Sequence, residues 1–282
     1  MACPAAGCYS AGMADGAGEF RAKYGPWALV AGGSVGLGAE FATQLAARGL
    51  HLLLVARRSA PLEARAQTLR ADYGVQVRPI AVDLGAPDLM QTLRAQAGDV
   101  EIGLLVYNAA LSPIGRFLDQ PLDEKLHVLD VNCRAPMILA HELGRAMAAR
   151  RRGGIVLVSS LSGLQGSALI ATYAATKAFD LVLGEGLFDE LREDGVDVLA
   201  FCAGATRTPN YEASQPRRTS MFAPPVMEPG PVVAEALATL GRAPSGIAGR
   251  ANRIASFFMS RVMPRRVAVR TMGRTTRAMY AR

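Results

Sequence analysis

The sequence predicts an α/β fold in which a doubly wound parallel sheet is flanked by helices. Three observations support this fold. Strand-length apolar runs alternate with helical patterns, a glycine-rich turn joins the first run to the first helix, and polar residues follow several of the runs. Half of the 282 residues are apolar, which suffices for one large core, so we expect a single domain.

Predicted strands and helices alternate regularly, which favours parallel βαβ units. The runs predicted as strands are 27–30, 51–56, 75–82, 102–107, 155–158, 196–202 and 245–248. The helical patterns are 39–48, 59–73, 87–97, 122–150, 173–194, 232–240 and the arginine-rich segment from 251 onward. Parallel strands end at one edge of the sheet, so we expect ligands to bind at that edge.

The chain divides into three predicted regions. Residues 1–24 are expected to be a disordered extension, residues 25–250 the α/β domain, and residues 251–282 a basic helical extension. A lid over the substrate is expected at about 205–231, because this stretch contains six prolines and several apolar side chains.

Composition argues against secretion, membrane insertion and a metal centre. No apolar run approaches the 18 residues of a membrane span, and residues 1–24 lack the basic and apolar segments of a signal peptide. The four cysteines and three histidines show no ligand spacing and no disulfide framework. We expect a soluble, cytoplasmic protein that binds no metal ion.

The formal net charge of +7 arises in the carboxyl-terminal region. Residues 236–282 contain ten arginines and no acidic residue, so the first 235 residues carry a net charge of −3. An apolar stripe in this region consists of Ile254, Phe257, Phe258 and Val262. We expect the stripe to pack on its own subunit or on a second copy of the chain. Weak contact with an anionic membrane surface is the alternative, and nucleic acid is the least favoured partner.

A glycine-rich turn follows the first predicted strand. Its glycines, Gly32, Gly36 and Gly38, have the spacing G-x3-G-x-G and lead directly into a helix. Glycines allow backbone amides to approach a diphosphate closely, and the helix dipole favours the anion. The turn therefore predicts a Rossmann-type, dinucleotide-binding domain.

The end of the second strand predicts which dinucleotide is bound. In NAD-binding folds an acidic residue near this point accepts from the ribose 2′-hydroxyl, whereas a cation accommodates a 2′-phosphate. Ala56 stands at the acidic position, and Arg57 and Arg58 follow it. We therefore predict NADP(H) as the cofactor.

A tyrosine and a lysine four residues apart open the helix after the fifth strand. Tyr173 and Lys177 are at positions i and i+4, so their side chains project from the same face. The ammonium favours a phenolate or holds a ligand hydroxyl, and such a pair is typical of a general acid/base. Only three of the 31 basic residues are lysine, which supports a role that arginine cannot fill.

The long helical pattern at 122–150 contains Asn132 and Pro136. Proline lacks an N–H group, so the carbonyl of Asn132, four residues earlier, loses its helical partner and the helix is expected to kink. We predict that this carbonyl binds a water molecule leading toward Lys177.

The ordered set of motifs resembles the short-chain dehydrogenase/reductase family over about residues 25–250. Each motif is weak alone, but their order and spacing are specific: the glycine turn, Asp83, Asn108-Ala109, Asn132, Ser160, Tyr173-x3-Lys177 and Gly204-x3-Thr208. Of the adjacent residues Ser159 and Ser160, the interval of thirteen residues to Tyr173 selects Ser160.

The resemblance implies the catalytic roles. Tyr173 would exchange a proton with the substrate oxygen, and Ser160 would form a hydrogen bond with that oxygen. Lys177 would bind the nicotinamide ribose and favour the phenolate of Tyr173, while Asn132 would hold the relay water.

The resemblance also implies the cofactor contacts. Asp83 and Asn108 would lie along the adenosine half, and Thr208 near the carboxamide. The other cofactor-binding candidates are Gly32, Ser34, Gly36, Leu37, Gly38, Arg57, Arg58, Leu84, Ala109, Gly204 and Thr206, beside Tyr173 and Lys177. The candidate substrate contacts are Leu111, Leu164, Tyr211, Met221 and Phe222.

Four positions depart from the family pattern. Ala31 replaces a threonine, Tyr107 the first asparagine and Ala110 the glycine of an Asn-Asn-Ala-Gly box, and Ala203 replaces a proline. None of these changes removes a group that carries the chemistry, so we expect altered loop geometry and retained activity. The segment Tyr-Gly-x-Trp-Ala, the arginines after strand 2 and the basic tail most resemble the branch of hydroxysteroid dehydrogenases and 3-ketoacyl reductases.

The resemblance implies an NADPH-dependent oxidoreductase that interconverts a ketone and a secondary alcohol on a mainly hydrophobic small molecule. A homodimer or homotetramer is expected. Two alternatives stay open at this point: an NADP-binding regulatory or scaffold protein without catalysis, and an NAD-using alcohol dehydrogenase.

Overall fold

The protein is described by a computed structural model that covers residues 17–217 and 225–280. Over these residues one sheet contains seven strands in the order β3-β2-β1-β4-β5-β6-β7, and every neighbouring pair is parallel. The strands are β1 (Trp27–Ala31), β2 (His51–Ala56), β3 (Val77–Ala81), β4 (Ile102–Tyr107), β5 (Gly153–Ser160), β6 (Val196–Ala203) and β7 (Ser245–Ile247). The predicted doubly wound α/β fold is confirmed.

Helices cover both faces of this sheet. Those before β6 are α1 (Gly36–Ala46), α2 (Ser59–Tyr73), α3 (Leu89–Ala97), α4 (Leu122–Leu129), α5 (Ala135–Ala149) and α6 (Ala171–Arg192). Those after it are α7 (Pro209–Ala213), α8 (Pro229–Thr239), α9 (Arg250–Phe257) and α10 (Arg265–Tyr280). Within the described residues, no helix is long and apolar enough to cross a membrane.

The strands are apolar on both sides because successive side chains point to opposite faces of the sheet. In β1, Ala28 and Val30 pack with Phe41 of α1 in one core. Trp27 and Leu29 join the opposite core, which includes the helices α3 and α5. Strand order reverses at β1, which lies between β2 and β4, so a crevice is expected outside the carboxyl ends of these strands.

The amino-terminal segment differs from the expectation. Residues 17–24 are helical, and Phe20 packs against the core. Tyr24 is buried, and its hydroxyl donates to the carboxylate of Asp197 on β6. Burial and this bond raise the pKa of Tyr24. The expectation of disorder for residues 1–24 is therefore wrong over 17–24.

The helical pattern at 122–150 is interrupted by a π turn, Asp130–Arg134, between α4 and α5. The N–H group of Ala135 bonds to the carbonyl of Asp130, five residues earlier. Pro136, the second residue of α5, has no N–H group to offer the carbonyl of Asn132. The α-helical pattern thus changes to a π turn at the predicted place. The kink of the helix and the water at the Asn132 carbonyl stay predictions.

The predicted lid, at about 205–231, and the tail are partly described. Met227 and Thr206 form a parallel bridge that joins the two ends of the lid, and α7 lies between them. The candidates Met221 and Phe222 lie outside the described residues. The tail forms α9, a π turn at Phe258–Val262 and then α10, which packs on its own subunit through buried Ala268 and Met279.

Candidate active site

The glycine turn between β1 and α1 lacks room for side chains. A Cβ atom on Gly32, whose φ is +81°, would lie 2.9 Å from the backbone of Ala109. A Cβ atom on Gly38 would lie 2.0 Å from the carbonyl oxygen of Gly32. Gly36 has a φ of +61° and faces Thr208. These contacts hold the turn against the ends of β4 and β6.

The first turn of α1 offers its N–H groups without a side-chain cap. Its N-cap residue is Val35, and the first turn contains no acidic residue. Backbone N–H groups at a helix N-terminus, together with the helix dipole, favour an anion. Asn108 fastens the turn to β4, since its N–H group donates to Ala31 across 3.0 Å and its carboxamide to Gly32 across 3.4 Å.

A cleft of about 540 Å³ opens beside this turn. It is lined by most of the residues predicted to contact the cofactor, namely Gly32, Ser34, Gly36, Leu37, Arg57, Arg58, Asp83, Leu84, Asn108, Ala109, Tyr173 and Thr208. The glycine-walled turn, the uncapped helix end and the two arginines match the diphosphate and the second phosphate of a dinucleotide. The residues therefore fit a nicotinamide dinucleotide.

Four predicted cofactor residues do not line this cleft in the described structure. Gly38 and Gly204 pack against other parts of the chain instead. A Cβ atom on Gly38 would lie 2.0 Å from the carbonyl oxygen of Gly32, and one on Gly204 would lie 2.6 Å from the carboxamide of Asn252. Thr206 is buried, and its hydroxyl donates to the carbonyl of Gly204 across 3.1 Å. Lys177 is buried behind the cleft.

Arg57 and Arg58 are exposed at the start of α2, directly after Ala56 at the end of β2. Across residues 17–217 and 225–280, neither guanidinium has an ion-pair partner. Asp83 accepts from the N–H group of Gly85 across 2.9 Å and lies 3.7 Å from the ring of His127. The positive charge at this end of the cleft is thus available to a ligand.

The predicted pair on α6 is formed. Tyr173 is half-buried and lines the cleft, and the Lys177 ammonium lies 5.9 Å from the centre of the Tyr173 ring. Ser160 ends β5, and its hydroxyl accepts from the N–H group and the hydroxyl of Ser162 across 3.2 and 2.9 Å. Ser159 is buried, and its hydroxyl donates to the carbonyl of Lys177 across 2.6 Å. Ser159 is thus a strand residue whose hydroxyl joins β5 to α6.

Asn132 is fully buried in the π turn. Its carboxamide exchanges two hydrogen bonds with the backbone of Leu111, at 2.8 and 2.9 Å, and donates to the hydroxyl of Thr176 at 3.0 Å. The side chain therefore fixes the loop after β4 against α6. Its backbone carbonyl is the atom that the sequence assigns to a water.

Three residues in this region make contacts that the sequence did not predict. Asp180 binds the Lys177 ammonium, Thr176 connects Asn132 to α6, and the hydroxyl of Tyr107 donates to the carbonyl of Val131 in the π turn. Only Asp180 carried a usable signal, since positions i and i+3 share a helix face.

The candidate substrate residues are separated in the structure. Leu111 lines the cleft, whereas the carbonyl of Leu164 accepts from Arg265 of α10 across 2.8 Å. Tyr211 lies in α7. Burial raises the pKa of Tyr280, a side-chain hydrogen bond with Ser214 lowers it, and the phenols of Tyr211 and Tyr173 raise it further. The end of α10 is thus near the site, which the sequence did not indicate.

The sequence is similar to those of characterised oxidoreductases. The chain matches a family model described as short chain dehydrogenase over residues 26–219. A 7β-hydroxysteroid dehydrogenase from Collinsella aerofaciens is 32 % identical over 237 residues, which cover 83 % of this chain and 90 % of that protein. A very-long-chain 3-oxoacyl-CoA reductase from Laccaria bicolor is 35 % identical over 184 residues, which cover 64 % of this chain and 54 % of that protein.

Solved structures of related enzymes have the same fold. A structure from a study of 7β-hydroxysteroid dehydrogenase stereoselectivity is 30 % identical with a TM-score of 0.84, and the match covers 90 % of this chain and 98 % of that one. A short-chain dehydrogenase from Sphingobium yanoikuyae, in complex with NADPH, is 31 % identical with a TM-score of 0.72, covering 84 % and 93 %. The chain therefore belongs to the short-chain dehydrogenase/reductase family of oxidoreductases, in the branch of hydroxysteroid dehydrogenases and ketoacyl reductases.

Proposed function

We propose that the protein uses NADPH to interconvert a ketone and a secondary alcohol on a mainly hydrophobic small molecule. The observation that carries this proposal is that Tyr173 lines the same cleft as the glycine turn, Arg57 and Arg58. A titratable phenol and a dinucleotide site thus share one cavity.

The residues of the chain have separate roles in the proposed reaction. When bound, NADPH supplies the hydride. Tyr173 donates a proton to the ketone oxygen in reduction and removes it in oxidation. The Ser160 hydroxyl forms a hydrogen bond with that oxygen, and the Lys177 ammonium stabilises negative charge on Tyr173.

The preference for NADPH rests on the end of β2. Arg57 and Arg58 are exposed there without ion-pair partners in the described part of the chain, and Ala56 offers no carboxylate to a ribose 2′-hydroxyl. The NADPH complex of the Sphingobium relative supports the same preference. An NAD-using alcohol dehydrogenase is the alternative.

The hydrophobic substrate class rests on the relatives and on the cleft. The names of the relatives refer to a hydroxysteroid, a very-long-chain 3-oxoacyl-CoA and bulky ketones. The enzyme that acts on bulky ketones is an alcohol dehydrogenase from Comamonas testosteroni with 29 % identity and a TM-score of 0.71. That match covers 85 % of this chain and 96 % of the other. Apolar Leu111 lies in the cleft, which is consistent with a bulky hydrophobic substrate.

The direct test is NADPH consumption, followed at 340 nm, with steroid ketones, bulky aryl ketones and 3-ketoacyl thioesters. Tyr173→Phe is expected to lose at least about a hundredfold in kcat while binding NADPH as before, since it lacks the acid/base. Tyr73→Phe, the same change at an exposed tyrosine of α2 outside the cleft, serves as the matched control. Turnover retained in Tyr173→Phe would contradict the mechanism, and NADPH binding without turnover on any ketone would favour a regulatory protein.

We further propose a homodimer formed by an exposed apolar face on α4 and α5. The face consists of Leu122, Leu126, Leu129 and Met137, which are 43 % to 69 % exposed in the single chain. Large apolar residues clustered on a surface are typical of an interface. The tail stripe is equally exposed and is the second candidate, for a partner subunit or an anionic membrane surface.

A further inference from the structure

Lys177 is held by a buried carboxylate on its own helix. Its ammonium donates to Oδ2 of Asp180 across 2.8 Å and to the carbonyl of Val158 across 2.8 Å. The two side chains are only 3 % and 1 % exposed. An ammonium has three N–H donors, so one donor remains for another acceptor.

Packing does not account for a carboxylate at this position. The other oxygen of Asp180, Oδ1, is buried and has no hydrogen-bond partner among the described residues. A buried acceptor without a partner destabilises a fold, and an apolar side chain of similar volume avoids that cost. The effect of Asp180 is therefore electrostatic: its negative charge acts on the Lys177 ammonium.

The other titratable groups around the pair are phenols and thiols, which come from α6, β4, the π turn and β6: Tyr173, Tyr107, Cys133 and Cys202. Burial raises the pKa of both thiols to about 11. The carboxylates of Asp83 and Glu185 act on Tyr107 and Cys202. Asp180 is thus the carboxylate that faces Lys177.

Two opposing effects act on the ammonium. Burial is the largest effect and lowers the pKa of Lys177, because the charged form loses hydration. Asp180, with smaller contributions from Tyr173 and Cys133, more than offsets it, and the pKa of Lys177 lies above its ordinary value. Burial likewise raises the pKa of Asp180, and the Lys177 ammonium opposes that shift. Loss of the carboxylate would remove the largest effect that opposes the burial of Lys177.

We propose that Asp180 is a positioning residue of the active site, which keeps the Lys177 ammonium charged and fixed between β5 and α6. One N–H donor then stays available to the cofactor ribose, and the positive charge stays beside Tyr173. The ribose contact and the effect on Tyr173 rest on the proposed function. The coupling of Asp180 to Lys177 does not.

Lysine NMR tests the coupling without any activity. The chain contains three lysines, Lys23, Lys125 and Lys177, so ¹³Cε-lysine labelling gives three titration curves, and Lys177→Met assigns the third. Asp180→Asn is expected to move the Lys177 titration down by at least about one pH unit. Asp189→Asn, the same change at an exposed position of α6, is expected to leave it in place. An unchanged Lys177 titration in Asp180→Asn would overturn the proposal.

Kinetics test the consequence for catalysis. Asp180→Asn is expected to lower kcat at pH 7 at least about tenfold and to move the rate of alcohol oxidation to higher pH. KM for the substrate is expected to stay within about twofold, because Asp180 does not line the cleft. Asp180→Glu, which keeps the charge, is expected to retain more activity.

Two comparisons separate the alternatives. Asp180→Ala removes the same charge as Asp180→Asn but changes the packing differently. Similar shifts of the Lys177 titration and of the pH–rate profile in the two variants identify the charge as the cause. Different shifts in the two variants would overturn the role of the charge. If the NMR titration moves but kcat equals that of Asp189→Asn, the role in positioning is overturned. Absence of oxidoreductase activity in the wild-type protein would contradict the proposed function. The NMR titration would still test the coupling of Asp180 to Lys177.

Discussion

The carboxamide of Asn132 donates to the hydroxyl of Thr176 across 3.0 Å and so joins the π turn between α4 and α5 to the helix that carries Tyr173. The same carboxamide exchanges two hydrogen bonds with the backbone of Leu111. One buried side chain thereby sets the spacing between the loop after β4 and α6. The position of the α6 turn that carries Tyr173 and Lys177 depends on this connection.

Asn132→Ala is expected to lower the free energy of unfolding by about 2–4 kcal/mol. The change removes the hydrogen-bond partner of the N–H and carbonyl groups of Leu111 and leaves a cavity at the fully buried position 132. Urea denaturation measures the loss. Asn210→Ala, an exposed change at the cleft, is expected to stay within about 0.5 kcal/mol. Equal stabilities for the two variants would show that Asn132 is not a structural link.

Gly38→Ala is expected to weaken NADPH binding at least about tenfold and to lower the melting temperature. The added methyl group would lie 2.0 Å from the carbonyl of Gly32, so α1 and the glycine turn must separate. Gly18→Ala is the control, because no atom lies within 4 Å of a Cβ there and alanine favours the helix. Fluorescence titration with NADPH and a thermal scan test both variants.

Arg57→Ala is expected to weaken NADPH binding about 10- to 100-fold and to leave NADH binding unchanged. A charge-assisted hydrogen bond to phosphate contributes about 1.5–3 kcal/mol, and only NADPH carries the 2′-phosphate. Arg145→Ala removes an exposed arginine away from the cleft and should bind both cofactors normally. Equal losses for NADPH and NADH would place Arg57 on a shared part of the cofactor.

Cys202 predicts a dependence of stability on alkaline pH. Burial is the largest cause that raises the pKa of this thiol, from 9.0 to about 11 in the folded protein. The unfolded chain therefore loses the proton first, so the contribution to stability is complete below about pH 9 and disappears as pH rises through about 11. Urea unfolding between pH 8 and 11 should show a steeper loss in the wild type than in Cys202→Ala. Parallel curves would exclude this contribution.

Leu126→Glu is expected to convert a dimer into a monomer, because it places a carboxylate within the apolar face of α4. Light scattering after size exclusion measures the mass. Ile254→Glu, the same kind of change on the exposed stripe of α9, should leave the dimer intact. The opposite pattern would assign the interface to the tail.

Local patterns in the sequence were sufficient for most elements. The bounds of β2, α2 and β4 agree with their predictions, because each is a periodic run bounded by a turn or a polar residue. The i and i+4 spacing likewise placed Tyr173 and Lys177 on one face, which is a property of the helix alone. The amino-terminal helix was missed because its order depends on contacts of Tyr24 with residues far along the chain.

The sequence by itself determined the α/β fold, the glycine turn and the Tyr173–Lys177 pair, since these follow from local periodicity and spacing. The roles proposed for Ser160 and Asn132 follow from the resemblance of the ordered motifs to a family. Tertiary structure alone decided that Lys177 and Asp180 are buried together, that Tyr107 binds the carbonyl of Val131, and that α10 ends near Tyr173. Periodicity reports which face of an element is apolar, but not which distant segment covers it. The energy of a buried charge depends on that cover.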